Sequence, residues 1–67
     1  MTNKLKELSP LLHQNEVAEY LGIEPRTLEL WRSQGRGPSF IRLGYRSIRY
    51  RFSDVVKYLE TKQVESS

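Results

Sequence analysis

With 67 residues and a net charge of +3, the chain has room for one small domain and none for an enzyme core with a separate substrate domain. It has no cysteine, which excludes disulfide staples and thiolate metal sites and suits a reducing cytoplasm, and it shows neither a signal peptide nor a membrane-spanning run. The charge is unevenly spread: all seven arginines lie between positions 26 and 51, with Glu29 the one acid among them, a distribution that favours binding to an anionic polymer over a merely solvated surface.

Residues 1–10, MTNKLKELSP, are polar and without period, and read as a flexible N-terminal arm. Leu11 and Leu12 form an entry strand or an apolar staple onto the core. His13 stands at the cap of a first helix expected over 14–21, where Ser, Thr, Asp or Asn caps better, and Glu16 can close a weak capping box. A lone His with no Cys is a cap or surface residue rather than a metal ligand. Val17, Ala18 and Leu21 mark the buried face of this helix, and Gly22 ends it. Ile23 plugs the turn and Pro25 suits the first position of a second helix, which is expected over 25–34. Leu28 and Trp31 are its buried stripe, and Gly35 closes it. Helix, short glycine turn, helix is the helix-turn-helix pattern.

The outer face of the second helix carries Arg26, Thr27, Glu29, Leu30 and Ser33, with Arg32 at its edge. A helix fits the roughly 12 Å major groove of B-DNA, and its first turn is the part that meets base edges. Arg26 can fork onto guanine, and Thr27 can bond a base or touch a thymine methyl. Glu29 could accept from a cytosine amino group or hold Arg26 or Arg32 by i, i+3 pairing; pairing is favoured, since an unpaired carboxylate near phosphates is repelled. Leu30 is either a thymine-methyl contact or an ordinary exposed leucine.

Arg36-Gly37-Pro38 makes a loop. Two alternating runs, 40–43 and 48–51, then predict a two-stranded hairpin. Ile41, Leu43, Ile48 and Tyr50 face the core, and Arg42, Arg49 and Arg51 face out. Arg46 at the tip can reach DNA backbone or minor groove, with Tyr45 beside it as a backbone-contacting phenol or a folded-back aromatic. Ser53 is expected to cap a third helix, with Asp54 favoured in its first turn and Val55, Tyr58 and Leu59 closing the core. Residues 61–67 are expected to fray.

In this order and spacing the chain resembles the excisionase-like and AlpA-like DNA-binding proteins of phages and mobile elements, winged helix-turn-helix domains related to the N-terminal part of MerR regulators. The likeness is carried by Leu12, EVAEYLGI (16–23), Thr27, Leu28 and Trp31, Gly35, GPSFIRLG (37–44), IRYR (48–51) and SDVVKYL (53–59). It spans about positions 11–60 and departs at His13 and Glu24, where Ser or Thr is usual, and at Tyr45, where a basic residue is. The resemblance implies a mainly α fold with a small β-hairpin: three short helices plus a two-stranded wing. It also implies sequence-specific binding to double-stranded DNA, either as a recombination directionality factor that works with an integrase or as a transcription regulator.

The expected interface combines Arg26, Thr27, Glu29, Leu30, Arg32 and Ser33 on the recognition helix with Arg36, Arg42, Tyr45, Arg46, Arg49 and Arg51 on the wing and loop. No cofactor, metal or small-molecule substrate is expected, and one His and one Asp cannot build a catalytic triad. The competing reading is a protein-docking winged helix with Tyr45, Leu30, Phe40 and Phe52 as anchors. RNA binding is weaker, because the hairpin offers no aromatic stacking platform. A domain this small covers about 600–1,000 Å² of DNA. Without a heptad zipper, it is expected to be a monomer that associates cooperatively on the duplex.

Overall fold

The computed structural model describes residues 10–64. The elements follow as β1 (Leu11–Leu12), α1 (Gln14–Leu21), α2 (Pro25–Ser33), β2 (Ile41–Arg42), β3 (Ile48–Arg51) and α3 (Phe52–Lys62). The architecture is a winged helix-turn-helix, with three helices against a small antiparallel sheet. The expected arm, residues 1–10, lies outside the described residues except for Pro10; of the expected tail, 61–64 are described, and α3 runs on through Lys62.

Local chemistry explains the helix pair. Gly22 takes φ +73°, and the Ile23 N–H reaches back 2.9 Å to the Ala18 carbonyl, a left-handed closure that costs glycine little. Gly35 ends α2 in the same way at φ +69°, with the Arg36 N–H 2.7 Å from the Trp31 carbonyl. Pro25 stands in the first turn of α2, where its missing N–H sacrifices no bond. The start of α1 is held from the other direction, by the His13 N–H donating 2.8 Å to Glu16 Oε1. Glu24 offers α2 no side-chain cap.

The two wing strands, β2 and β3, are joined by the entry strand β1 into a three-stranded sheet in the order β1-β3-β2. Leu11 pairs with Arg51 and Leu12 with Tyr50, while Ile41 pairs with Arg49 and Arg42 with Ile48. Two-residue strands do not hold by themselves. Tyr50 anchors them, being 1% exposed within the core of Val17, Ala18, Leu28 and Val55. Leu12, Leu21, Ile23, Trp31, Phe40 and Ile48 pack around that core.

Four expectations are corrected. Ile41 does not share the core side of the sheet with Ile48 and Tyr50: it pairs with Arg49 while Arg42 pairs with Ile48, and directly paired residues share a face, so Arg42 stands on that side instead. Leu43 does not face the core but is 58% exposed, because β2 ends at Arg42 and Leu43 already belongs to the tip, closed by its own N–H on the Ser47 carbonyl at 2.7 Å. Ser53 is not the cap of α3: the helix begins two residues earlier than that cap would allow, at Phe52, with Arg51 in the cap position. There the Phe52 N–H donates to the Pro10 carbonyl at 2.9 Å, so β3 passes into α3 without a loop. Leu59 is 37% exposed, and α3 seals the core with buried Val55 and half-buried Tyr58, whose ring lies 5.9 Å from that of Trp31.

Candidate nucleic-acid interface

The helical period puts Arg26, Glu29, Leu30 and Ser33 on one side of α2, and all four are exposed. Thr27, expected there too, is half-buried on the flank toward Leu28. Leu30 is 53% exposed, an apolar surface in the middle of a polar face. The Ser33 hydroxyl donates 2.7 Å to the Leu30 carbonyl, which leaves its lone pairs turned outward as acceptors.

Beside this face, an open groove of about 590 Å³ separates the second half of α2 from the wing. Its walls bring together seven of the expected residues: Glu29, Arg32 and Ser33 from the helix and Arg42, Tyr45, Arg46 and Arg49 from the hairpin. Four guanidinium groups around one carboxylate make the groove electropositive, and a concave basic surface concentrates polyanions. The wing arginines are held rather than loose. Arg42 lies over the Phe40 ring at 5.9 Å and Arg46 over the Tyr45 ring at 5.3 Å, contacts worth about 0.5–1 kcal/mol each at exposed sites. Arg49 Nη1 donates 2.9 Å to the Ile48 carbonyl. Tyr45 is not folded back: it is 86% exposed at the tip.

Other expected residues stand outside the groove. Arg36 lies over the Trp31 ring at 5.9 Å and donates 3.1 Å to Gln34 Oε1. Arg51 is paired with Asp54 at 3.2 Å where β3 meets α3. Glu29 pairs with neither Arg26 nor Arg32, contrary to expectation; it accepts instead from Gln14 Nε2 at 2.9 Å. Gln14 Oε1 in turn accepts from Arg32 Nη1 at 2.6 Å, and the same nitrogen donates to the Tyr50 hydroxyl at 2.9 Å. The amide of Gln14, projecting from a neighbouring helix, has taken the place of a direct ion pair.

Sequence reasoning therefore missed one wall of the groove, His13, Gln14 and Asn15 at the start of α1. The available signal was the polar run itself at a helix N-terminus, where unpaired N–H groups and the helix dipole favour anions. Among the described residues, no group of three or more His, Cys, Asp or Glu could hold a metal ion, and no helix is long and apolar enough to cross a membrane.

Residues 11–63 match the family model described as a helix-turn-helix domain. The chain belongs to that family. No curated protein matches the sequence significantly. Membership places this helix-turn-helix domain among DNA-binding proteins, and the matched span includes both helices of the motif, the wing and α3.

Proposed function

We propose that this helix-turn-helix domain binds duplex DNA sequence-specifically, with α2 in the major groove and the β2–β3 wing on the backbone or minor groove, and that it serves as the excisionase of a phage or other integrative element. The observation that carries the binding mode is the groove between α2 and the wing, with Arg32, Arg42, Arg46 and Arg49 around it. One wall is the helix that presents Arg26, Glu29, Leu30 and Ser33 for base edges, and the other supplies charge for phosphates. The excisionase role is supported by the resemblance of residues 11–60. In it, copies bind side by side near an attachment site, bend the DNA and act with an integrase. Regulation of prophage genes is the second reading, supported by the same resemblance.

Selection of bound duplexes from a random pool at two salt concentrations tests the proposal. A single recovered motif, tandem or repeated, is expected, and its position beside an attachment site or a promoter separates excision from regulation. Binding without enrichment that disappears at physiological salt would reduce the arginines to generic charge and move the docking-module reading to first place.

A further inference from the structure

We infer that Gln14 is a positioning residue for base readout: its side-chain amide, reaching from α1, sets the orientation in which Glu29 of α2 meets the DNA. The inference rests on the reading of α2 as the major-groove helix and deepens it. Glu29 and Arg32 are one turn apart on α2, the spacing at which a carboxylate and a guanidinium normally close on each other. They do not close here. Gln14 stands between them, donating to Glu29 Oε2 at 2.9 Å and accepting from Arg32 Nη1 at 2.6 Å.

An amide is suited to this place because it is neutral and carries a donor group and an acceptor group on separate atoms, one for each partner. A carboxylate at 14 would serve Arg32 and repel Glu29; an amine would do the reverse. The far end of this hydrogen-bonded series is anchored, since the guanidinium also bonds the hydroxyl of Tyr50, a residue 1% exposed, and lies 5.7 Å from the centre of the Phe40 ring. Orientation therefore passes from the core through Tyr50, Arg32 and Gln14 to Glu29. Only Oε2 of Glu29 is engaged by Gln14. Its other oxygen can accept from the exocyclic amino group of cytosine, a contact that depends on direction. Without Gln14, Glu29 would swing to Arg32 and be withdrawn from the base.

The test is duplex selection with the wild-type chain and with Gln14→Ala, Gln14→Glu, Glu29→Ala and the double variant Gln14→Ala/Glu29→Ala, each followed by thermal unfolding. Gln14→Ala is expected to recover the wild-type motif with preference relaxed about tenfold at one base pair. The same base pair should relax in Glu29→Ala, and the double variant should be no worse than Glu29→Ala. Because Gln14 is uncharged, the salt dependence of Gln14→Ala should match that of the wild type. Gln14→Glu keeps the acceptor for Arg32, and should relax the same base pair with its unfolding midpoint retained; it carries the test if Gln14→Ala does not fold. An unchanged motif in a folded Gln14 variant, or losses that add in the double variant, would overturn the inference while leaving α2 as the reading helix. If the wild-type chain itself recovers no motif, the parent reading fails and this one falls with it.

Discussion

The Tyr50 hydroxyl accepts a 2.9 Å hydrogen bond from Arg32 Nη1, joining the innermost residue of the sheet to α2. The bond sets the rotation of α2 against β3 by a directional contact, where apolar packing alone would tolerate sliding. Tyr50→Phe keeps the ring and removes the acceptor. Hydrogen bonds to charged groups contribute about 1.5–3 kcal/mol. Arg32 is half-buried and retains Gln14, so a loss near the low end, about 1–2 kcal/mol, is expected. In a domain of this size that is a fall of roughly 4–8 °C in Tm for each kcal/mol, to be read by thermal unfolding. An unchanged midpoint would mean that the bond orders the helix without stabilising it.

Gly37 is a position where no side chain fits. Its φ is +85°, and a Cβ there would stand 2.9 Å from Cε3 of Trp31. Gly37→Ala therefore meets both backbone strain and an overlap with a ring already packed on Tyr58. A loss of about 1–3 kcal/mol is expected in denaturant unfolding, with the slope unchanged. Gly22→Ala is the control. It shares the positive φ, but a Cβ there meets nothing within 4 Å, so it should cost less.

The wing arginines and the recognition arginine should fail in different ways. Arg49→Ala or Arg46→Ala should weaken binding evenly across a panel of duplexes and reduce the slope of log affinity against log salt by about one. Arg26→Ala should instead relax preference at one base pair, at a cost of about 1–3 kcal/mol. Identical profiles for Arg26→Ala and Arg49→Ala would mean that the division between reading and anchoring is wrong.

Tyr45 separates binding from folding. At 86% exposure and beyond the sheet, its replacement by alanine should leave stability within about 0.5 kcal/mol. DNA affinity should nevertheless drop, because the ring supports Arg46 from 5.3 Å and supplies its own contact surface. Paired fluorescence anisotropy and thermal unfolding on Tyr45→Ala would check this. Full affinity in the variant would remove the tip from the interface.

Leu28 is the apolar centre of α2 at 0% exposure. Leu28→Ala should cost about 2–5 kcal/mol, a large share of the stability of a 67-residue domain. Circular dichroism at 25 °C is expected to show a substantial unfolded fraction.

Much of this molecule is written locally. Gly22, Pro25 and Gly35 bound α1 and α2 within a residue of where the sequence puts them, because helix ends depend on φ preferences and N–H supply within a few residues. The concentration of arginines between 26 and 51 and the buried positions Val17, Ala18, Leu28 and Val55 are likewise legible from spacing alone. What the tertiary structure decided is which polar groups are spoken for. Gln14 reaches Glu29 and Arg32 across 15 and 18 residues of chain, and Leu11–Leu12 becomes a third strand only because β3 has an open edge beside it. Leu43 is carried out to solvent because β2 ends at Arg42 and Leu43 belongs to the tip that closes on Ser47. Backbone preference acts between neighbours in sequence, but a side-chain hydrogen bond forms only after packing has brought two distant elements to within about 3 Å. The motif was therefore readable from the chain, and the network that holds α2 was not.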